Sequence, residues 1–387
     1  MTKNEEYQKF FTRSCNKAQI NNAKGILSDL LNTDESNFDK YPYLLNMPGG
    51  TLDLQTDRSY PADRNNYLTQ ITACNAAADY HGSLWDQTLI DVIPDAMTRE
   101  YLQRYCGYCL SGDVSEELFL IAYGEGGKGK GTVFETMAAA MGDYATQIPV
   151  EVILKHKYAA NANAPTPELI KLKGKRLALC TETGLGRKLD EAKIKWLTGG
   201  DTITARAMYA KKPISFTPTH KIIIQSNYLP QISDANDTGL DRRYEIIPFH
   251  ADIAERDTTL KQRLRTPEEL QHVMAWLLEG FKKWQSGSLS EPSEEMKAMK
   301  RKYKSDNDLL SQWCVECCNI GSDLEMPMKQ GKEAYNEWLT GGRTEKVGLQ
   351  EFSADMESHG YVKRRKNTGY VFKGIELKGT SVENPFP

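Results

Sequence analysis

Gly124-Glu125-Gly126-Gly127-Lys128-Gly129-Lys130-Gly131-Thr132 stands between the apolar run Leu118-Phe119-Leu120-Ile121-Ala122-Tyr123 and a helix-like stretch from Val133 to Met141. A strand, a glycine loop and a helix in that order form the framework of a phosphate-binding loop. Small residues let successive backbone N–H groups turn toward a phosphate chain, and the helix that follows presents the positive end of its dipole. Lys130 is then spaced to reach the outer phosphates, so all nine residues from Gly124 to Thr132 are expected to contact an ATP-like nucleotide. In the usual motif a hydroxyl residue follows the lysine directly. Here Gly131 follows it and Thr132 is the first hydroxyl, the candidate for helping to hold Mg²⁺.

Working outward, short apolar segments recur at Arg176–Cys180, Lys221–Gln225 and Tyr244–Pro248, separated by helical patterns. That alternation predicts an α/β core with a sheet flanked by helices. The first ends at Glu182, placed as an acid that polarises water or holds Mg²⁺. The second ends at Asn227, whose amide can orient water or sense a phosphate; a turn role before Leu229-Pro230 is compatible with it. Arg242 and Arg243 precede the last segment. One of them is a candidate for a guanidinium delivered to a neighbouring subunit's phosphate, and a structural ion pair is the alternative for at least one.

Between the acid and the amide, β-branched alternation on both sides of Tyr209-Ala-Lys-Lys-Pro213 predicts a hairpin with Lys211 and Lys212 at its tip and Arg206 at its base. Lysines beside a tyrosine suit a single strand of nucleic acid, by phosphate contact and base stacking, whereas a plain surface hairpin is the default for such a segment taken by itself. Near the end of the chain, helical spacing over Asp308–Cys318, Lys332–Leu339 and Leu349–His359 is followed by two strands around Asn367-Thr-Gly, the outline of a winged helix. Its basic hairpin, Lys363, Arg364, Arg365 and Lys366, is a second candidate nucleic-acid contact.

The 387 residues are 40% apolar with a net charge of −3, enough for ordinary cores and too balanced for global attraction to nucleic acid. No run approaches the ~18–20 apolar residues of a membrane span and the start is polar, so a cytoplasmic protein is expected. Eight cysteines without an export signal predict reduced, mostly buried thiols. Cys106-x-x-Cys109 and Cys314-x-x-Cys317-Cys318 lie on apolar helical patterns, and a shared zinc site is the minor alternative, with Gly107 available for a turn. Tyr7–Leu31 reads as helix, Tyr43–Leu54 as a hairpin, Leu84–Leu110 as helix on both sides of Pro94, and Glu294–Lys304 as a charged connector with a solvated face.

In order and spacing, the glycine loop, Thr181-Glu182-Thr183, Leu197-Thr-Gly-Gly-Asp-Thr-Ile-Thr-Ala-Arg206, Ser226-Asn227 and Arg242-Arg243 resemble the superfamily 3 helicase module of phage and plasmid primase-helicases. The Leu44–Leu54 segment is similar to the small domain before that module in poxvirus-like and satellite-phage-like relatives. The resemblance implies an AAA+-type parallel-sheet core at 91–285, a small α/β lead-in at 1–90, and a connector with winged helix at 286–387. It also implies ATP and Mg²⁺ as cofactors, with Lys130 and Thr132 on phosphates and metal, Glu182 for hydrolysis, Asn227 as sensor, and Arg242 or Arg243 acting in trans. A homo-oligomeric ring, usually hexameric, would hold single-stranded or forked DNA, contacted by Lys211 and Lys212. Only about ninety residues precede the core, with no paired-acid motif for priming among them, so a helicase without its primase, natural or truncated, is expected, and a separate primase or other replication proteins are candidate partners. A DNA-binding initiator switched by ATP, and a small-molecule kinase, are the competing readings.

Overall fold

The computed structural model describes residues 3–155, 165–181, 184, 186–210, 212–232, 236–252, 257–341 and 346–379. Its centre is a five-stranded, wholly parallel sheet. The strands are β4 (Phe119–Tyr123), β5 (Ala145–Pro149), β6 (Leu177–Thr181), β9 (Lys221–Ser226) and β10 (Tyr244–Pro248), in the spatial order β10-β4-β9-β6-β5. In the inner strands alternate residues serve opposite faces, and both faces are covered, which is why they read as unbroken apolar runs. Leu120, Ala122, Leu177, Leu179, Ile223 and Ile247 pack into one cluster, while Phe119, Ile121, Ala178, Cys180, Ile222, Ile224 and Ile246 pack into another.

The sequence pattern marks four of these strands and misses β5. Ala145-Thr-Gln-Ile-Pro is polar and only Ile148 in it is buried: it is an edge strand left partly open to solvent, unlike the opposite edge strand β10, which is buried throughout.

The first face is covered by α3 (Leu84–Val92), α4 (Ala96–Tyr108), α5 (Lys130–Met141) and the long α10 (Pro267–Gly287). Ser83, Asp95 and Thr266 cap α3, α4 and α10 by accepting from Asp86, Thr98 and Glu269 N–H at 3.2, 2.7 and 3.4 Å. Helices α4 and α10 cross almost backbone to backbone: a Cβ on Gly107 would lie 2.0 Å from Phe281 N, and one on Gly280 would lie 2.1 Å from Gln103 O. Gly107 thus serves helix packing rather than a turn between Cys106 and Cys109, and both thiols are fully buried. Among the described residues no His/Cys/Asp/Glu group is arranged to hold a metal ion.

The other face carries α7 (Glu191–Thr198) and Tyr303 of α11 (Glu294–Asn307). Helix α11 keeps the expected solvated face, with Glu294, Arg301, Lys302 and Asp306 exposed, and buries Met296 and Tyr303 on the other side. Lys300 donates to Glu245 at 2.8 Å and to the Asp241 and Tyr244 carbonyls at 2.8 and 2.9 Å, pinning the helix along β10. Short helices α6 (Pro167–Ile170), α8 (Thr238–Asp241) and α9 (Leu260–Arg263) complete the core, with the antiparallel pair β7 (Ile203–Ala205) and β8 (Ile214–Phe216).

Ahead of the core, the expected single helix is two, α1 (Lys3–Ser14) and α2 (Lys17–Leu30), divided where Asn16 caps α2 through Gln19 N–H at 2.9 Å. The expected hairpin is β1 (Leu44–Met47) and β2 (Gly50–Asp53), extended by β3 (Arg58–Tyr60). Leu45, Met47, Leu52 and Leu54 share one apolar cluster with Phe134, Met137 and Phe281.

At the far end stand α12 (Leu309–Cys317), α13 (Met328–Gly341) and α14 (Leu349–Ser358). They pack on an antiparallel sheet of β11 (Cys318–Pro327), β13 (Gly369–Leu377) and β12 (Val362–Lys366), with Trp313, Tyr335, Phe352 and Phe372 at its core. The first of these strands was not expected; Cys318 opens it rather than closing the preceding helix. No helix among the described residues is long and apolar enough to cross a membrane.

Candidate functional site

The glycine loop leaves the sheet at the carboxyl end of β4, the end toward which α5 presents its first turn. Three of its positions require glycine, the first being Gly124, where a Cβ would lie 1.9 Å from Phe249 O. Gly127 and Gly129 have φ of 86° and 90°, and a Cβ on Gly129 would press to 2.5 Å from Val92 Cγ1 of α3. Val92 and the loop are therefore in close contact.

Lys130 is the first residue of α5 and is 8% exposed. Its Nζ donates to the Gly124 carbonyl, to Glu125 O at 2.9 Å and to Asn227 Oδ1 at 3.0 Å. All three partners are neutral oxygens, and burial lowers the pKa of the ammonium. A buried cation with only neutral partners among the described residues is a receptor for an anion. The Asn227 contact joins the loop of β4 to the end of the adjacent strand β9.

A cleft of about 740 Å³ opens over this point. Gly126 to Thr132, Glu135, Thr181, Gln225 and Asn227 line its floor, α3 supplies Gln87, Thr88 and Asp91 on one wall, and Lys261 and Arg263 stand on another. A Cβ on Gly126 or Gly127 would meet nothing within 4 Å, so the loop faces open space of a size suited to a phosphate chain. Lys128 pairs with the exposed Asp252 at 3.1 Å. The residues present therefore fit an anionic nucleotide.

Several lining residues carry no sequence signal. Gln225 sits within an apolar strand, is 6% exposed and keeps a buried Nε2 without a hydrogen-bond partner while facing the cleft. Lys261 and Arg263 follow β10 in a segment of mixed charge. Only the fold brings them to the loop.

Glu182 and Lys211 lie outside the described residues; their neighbours do not. Thr181, which ends β6, lines the cleft, and Lys212 is exposed at the tip of the β7–β8 hairpin beside Tyr209, which is 96% exposed with φ of 63°. Arg206 is half-buried, its backbone paired with Thr166 at 2.9 Å, so it anchors the hairpin base.

Arg242 and Arg243 stand at the opposite end of the sheet from the loop, separated from it by the length of β10, about 16 Å for a strand of five residues. Both pair with Glu117, at 3.0 and 2.9 Å, but their exposure differs: the Arg242 side chain is 65% exposed and that of Arg243 is 12% exposed. Neither can reach the loop of its own chain.

In the C-terminal hairpin, Lys363 donates to Ser353 Oγ at 2.8 Å and lies over the Tyr370 ring, and Lys366 pairs with Glu325. Two of the four expected basic contacts are therefore engaged within the unit, while Arg364 and Arg365 are exposed.

Residues 1–94 match the family described as "D5 N terminal like", and residues 122–243 match a family of unknown function named DUF5906. Over 346 residues the chain is 30% identical to a protein of Acanthamoeba polyphaga mimivirus named "Putative helicase", covering 81% of this chain and 34% of that protein. A protein of the same name from Invertebrate iridescent virus 3 is 25% identical over 78% of this chain and 35% of its own length. A "Putative primase" of African swine fever virus is 26% identical over 53% of this chain and 22% of its own length. The chain thus spans about a third of the length of the viral helicases it matches. Among solved structures, the apo structure of the NrS-1 C-terminal region aligns with a TM-score of 0.50 at 14% identity, over 78% of this chain and 77% of that one, a likeness of fold.

Proposed function

We propose that this chain, a D5-like relative of the viral helicase and primase proteins above, is an ATP-driven motor that moves or unwinds DNA during replication of a virus-like, phage or plasmid element. The observation that carries this reading is the buried Lys130 ammonium, held by neutral oxygens at the carboxyl end of a parallel sheet and touching Asn227 of the next strand. Ligands of such sheets bind at the carboxyl ends of the strands, and an anion here would receive Lys130, the loop N–H groups and the start of α5.

Bound ATP with Mg²⁺ would supply a transferable phosphoryl group and a Lewis acid. Lys130 binds its phosphates, Thr132 and Glu182 are the residues for the metal, and Glu182 takes the proton of the attacking water. Asn227 orients that water and reports occupancy to Lys130, whose proton it accepts a hydrogen bond from. Arg242, exposed and remote from its own loop, acts on the nucleotide of a neighbouring copy in a ring, which the family resemblance makes hexameric. The β7–β8 hairpin with Lys211 and Lys212 tracks the DNA strand. The C-terminal unit is a winged helix whose Arg364 and Arg365 contact phosphates.

DNA-stimulated ATP hydrolysis and strand displacement on a forked substrate test the proposal. Lys130→Ala is expected to lower hydrolysis at least ~100-fold, and Lys212→Ala to leave hydrolysis while reducing displacement. Hydrolysis that persists in Lys130→Ala, or ATP-dependent DNA binding with no displacement by the wild type, would reject the motor in favour of a switch.

A further inference from the structure

Gly131 stands where a hydroxyl residue follows the lysine in other phosphate loops, and its surroundings show what occupies that space instead. A Cβ built on Gly131 would lie 3.0 Å from Glu135 Oε1 and 3.4 Å from Lys261 Nζ. Lys261, on α9, therefore brings its ammonium to the quarter of the loop toward which a side chain after Lys130 would point. Glu135, one helical turn further along α5, holds it there at 3.3 Å and also holds Arg265 at 2.9 Å. Two cations share one carboxylate, so the cluster keeps a net positive charge on the rim of the cleft. Arg263, beside it, is paired with Asp257 at 2.9 Å. Lys261, Glu135 and Gly131 all line that cleft, and the Lys261 side chain is half exposed, free to swing toward the loop.

We infer that Lys261 is a second phosphate-binding lysine of the nucleotide site, admitted by Gly131 and parked on Glu135 when no phosphate is present. This rests on the proposed nucleotide site. Phosphate oxygens arriving at the loop compete with the Glu135 carboxylate for the ammonium. Arg265 remains to neutralise Glu135 when Lys261 leaves, so the exchange strands no charge. Gly131 has no conformational need to be glycine, since only its lack of a side chain matters here.

The test is titration of a fluorescent ATP analogue into the full chain, in Mg²⁺, with thermal melting to verify folding. Lys261→Ala is expected to bind about tenfold more weakly, the scale of one charge-assisted hydrogen bond, and Lys261→Arg to retain most of the affinity. Gly131→Val fills the approach route and should lose a similar factor. Combined with Lys261→Ala it should lose nothing further, because both act on one contact. Glu135→Gln frees Lys261 and should leave binding equal or tighter. Affinity within about twofold of wild type in Lys261→Ala overturns the inference. So does a loss in Glu135→Gln that disappears when Mg²⁺ is omitted, which would make Glu135 a metal ligand. Unchanged affinity in Lys130→Ala would remove the nucleotide site itself, and this lysine's role with it.

Discussion

At the residue scale, two cases show the fold giving side chains roles that their sequence context does not mark. Arg242 and Arg243 share Glu117, yet one is 65% exposed and the other 12%. Arg242→Ala is therefore expected to reduce hydrolysis by about 10³-fold or more with an unchanged melting temperature, as for a guanidinium acting on a neighbour's phosphate. Arg243→Ala should instead lower the melting temperature, because it leaves Glu117 half-paired at the start of the sheet. Comparing hydrolysis and melting for the two variants decides the assignment, and the reverse pattern would exchange their roles. Gln225 makes the second case. Its buried, unpartnered Nε2 costs stability in the empty protein, so Gln225→Leu is expected to melt at an equal or higher temperature while hydrolysing ATP about tenfold more slowly. A variant that melts lower at full activity would make Gln225 a packing residue.

At the scale of elements, the C-terminal unit carries a built-in pH dependence. His359 closes α14 with Nδ1 on Asp355 O at 2.7 Å and Nε2 on Asp308 at 2.9 Å, an arrangement that wants a proton on both nitrogens. The hydrogen bond to Asp308 raises its pKa from 6.5 to about 9 despite burial. Burial works against Asp308, but His359 and Ser311 hold it down to about 2. A histidine raised on folding contributes fully below its unfolded pKa and loses that contribution as pH rises through the folded one. Wild type should therefore melt at least ~4 °C above His359→Gln at pH 6, and the gap should shrink as pH rises from 6.5 and be lost by about 9. A gap independent of pH would show that the imidazole acts by packing. The aspartate adds the opposite edge: its contribution is complete above 3.8 and lost as pH falls through about 2. Legibility in sequence also follows the environment of each element. Inner strands β4, β6 and β9, and edge strand β10 covered by α11, are buried and stand out as apolar runs, whereas the solvent-exposed edge strand β5 and the half-exposed β11 carry no such mark. The three C-terminal helices are legible in the sequence because each carries an apolar face, and Trp313, Tyr335 and Phe352, one from each, meet in one core.

At the scale of the whole molecule, the loop and the paired arginines lie at opposite ends of one sheet, so in the proposed motor Arg242 would serve the loop of a second copy of the chain. Mixing Lys130→Ala with Arg242→Ala subunits, each inactive by itself, is expected to restore hydrolysis, since roughly a quarter of randomly formed interfaces join an intact lysine to an intact arginine. No recovery, with mixed oligomers verified by mass, would rule out action in trans. The sequence by itself determined the α/β core, the place of the glycine loop and the order of Glu182, Asn227 and the arginines, because burial and tight turns each demand particular residues at local spacings. Only the tertiary structure decided which of these groups meet. It set Asn227 against Lys130, turned Gln225 into the cleft, separated Arg242 from Arg243, tied Lys363 and Lys366 within their own unit, and brought Lys261 to the gap left by Gly131. Those facts depend on contacts between residues up to 130 positions apart along the chain, as in the pair of Glu135 and Arg265, and no local pattern encodes them.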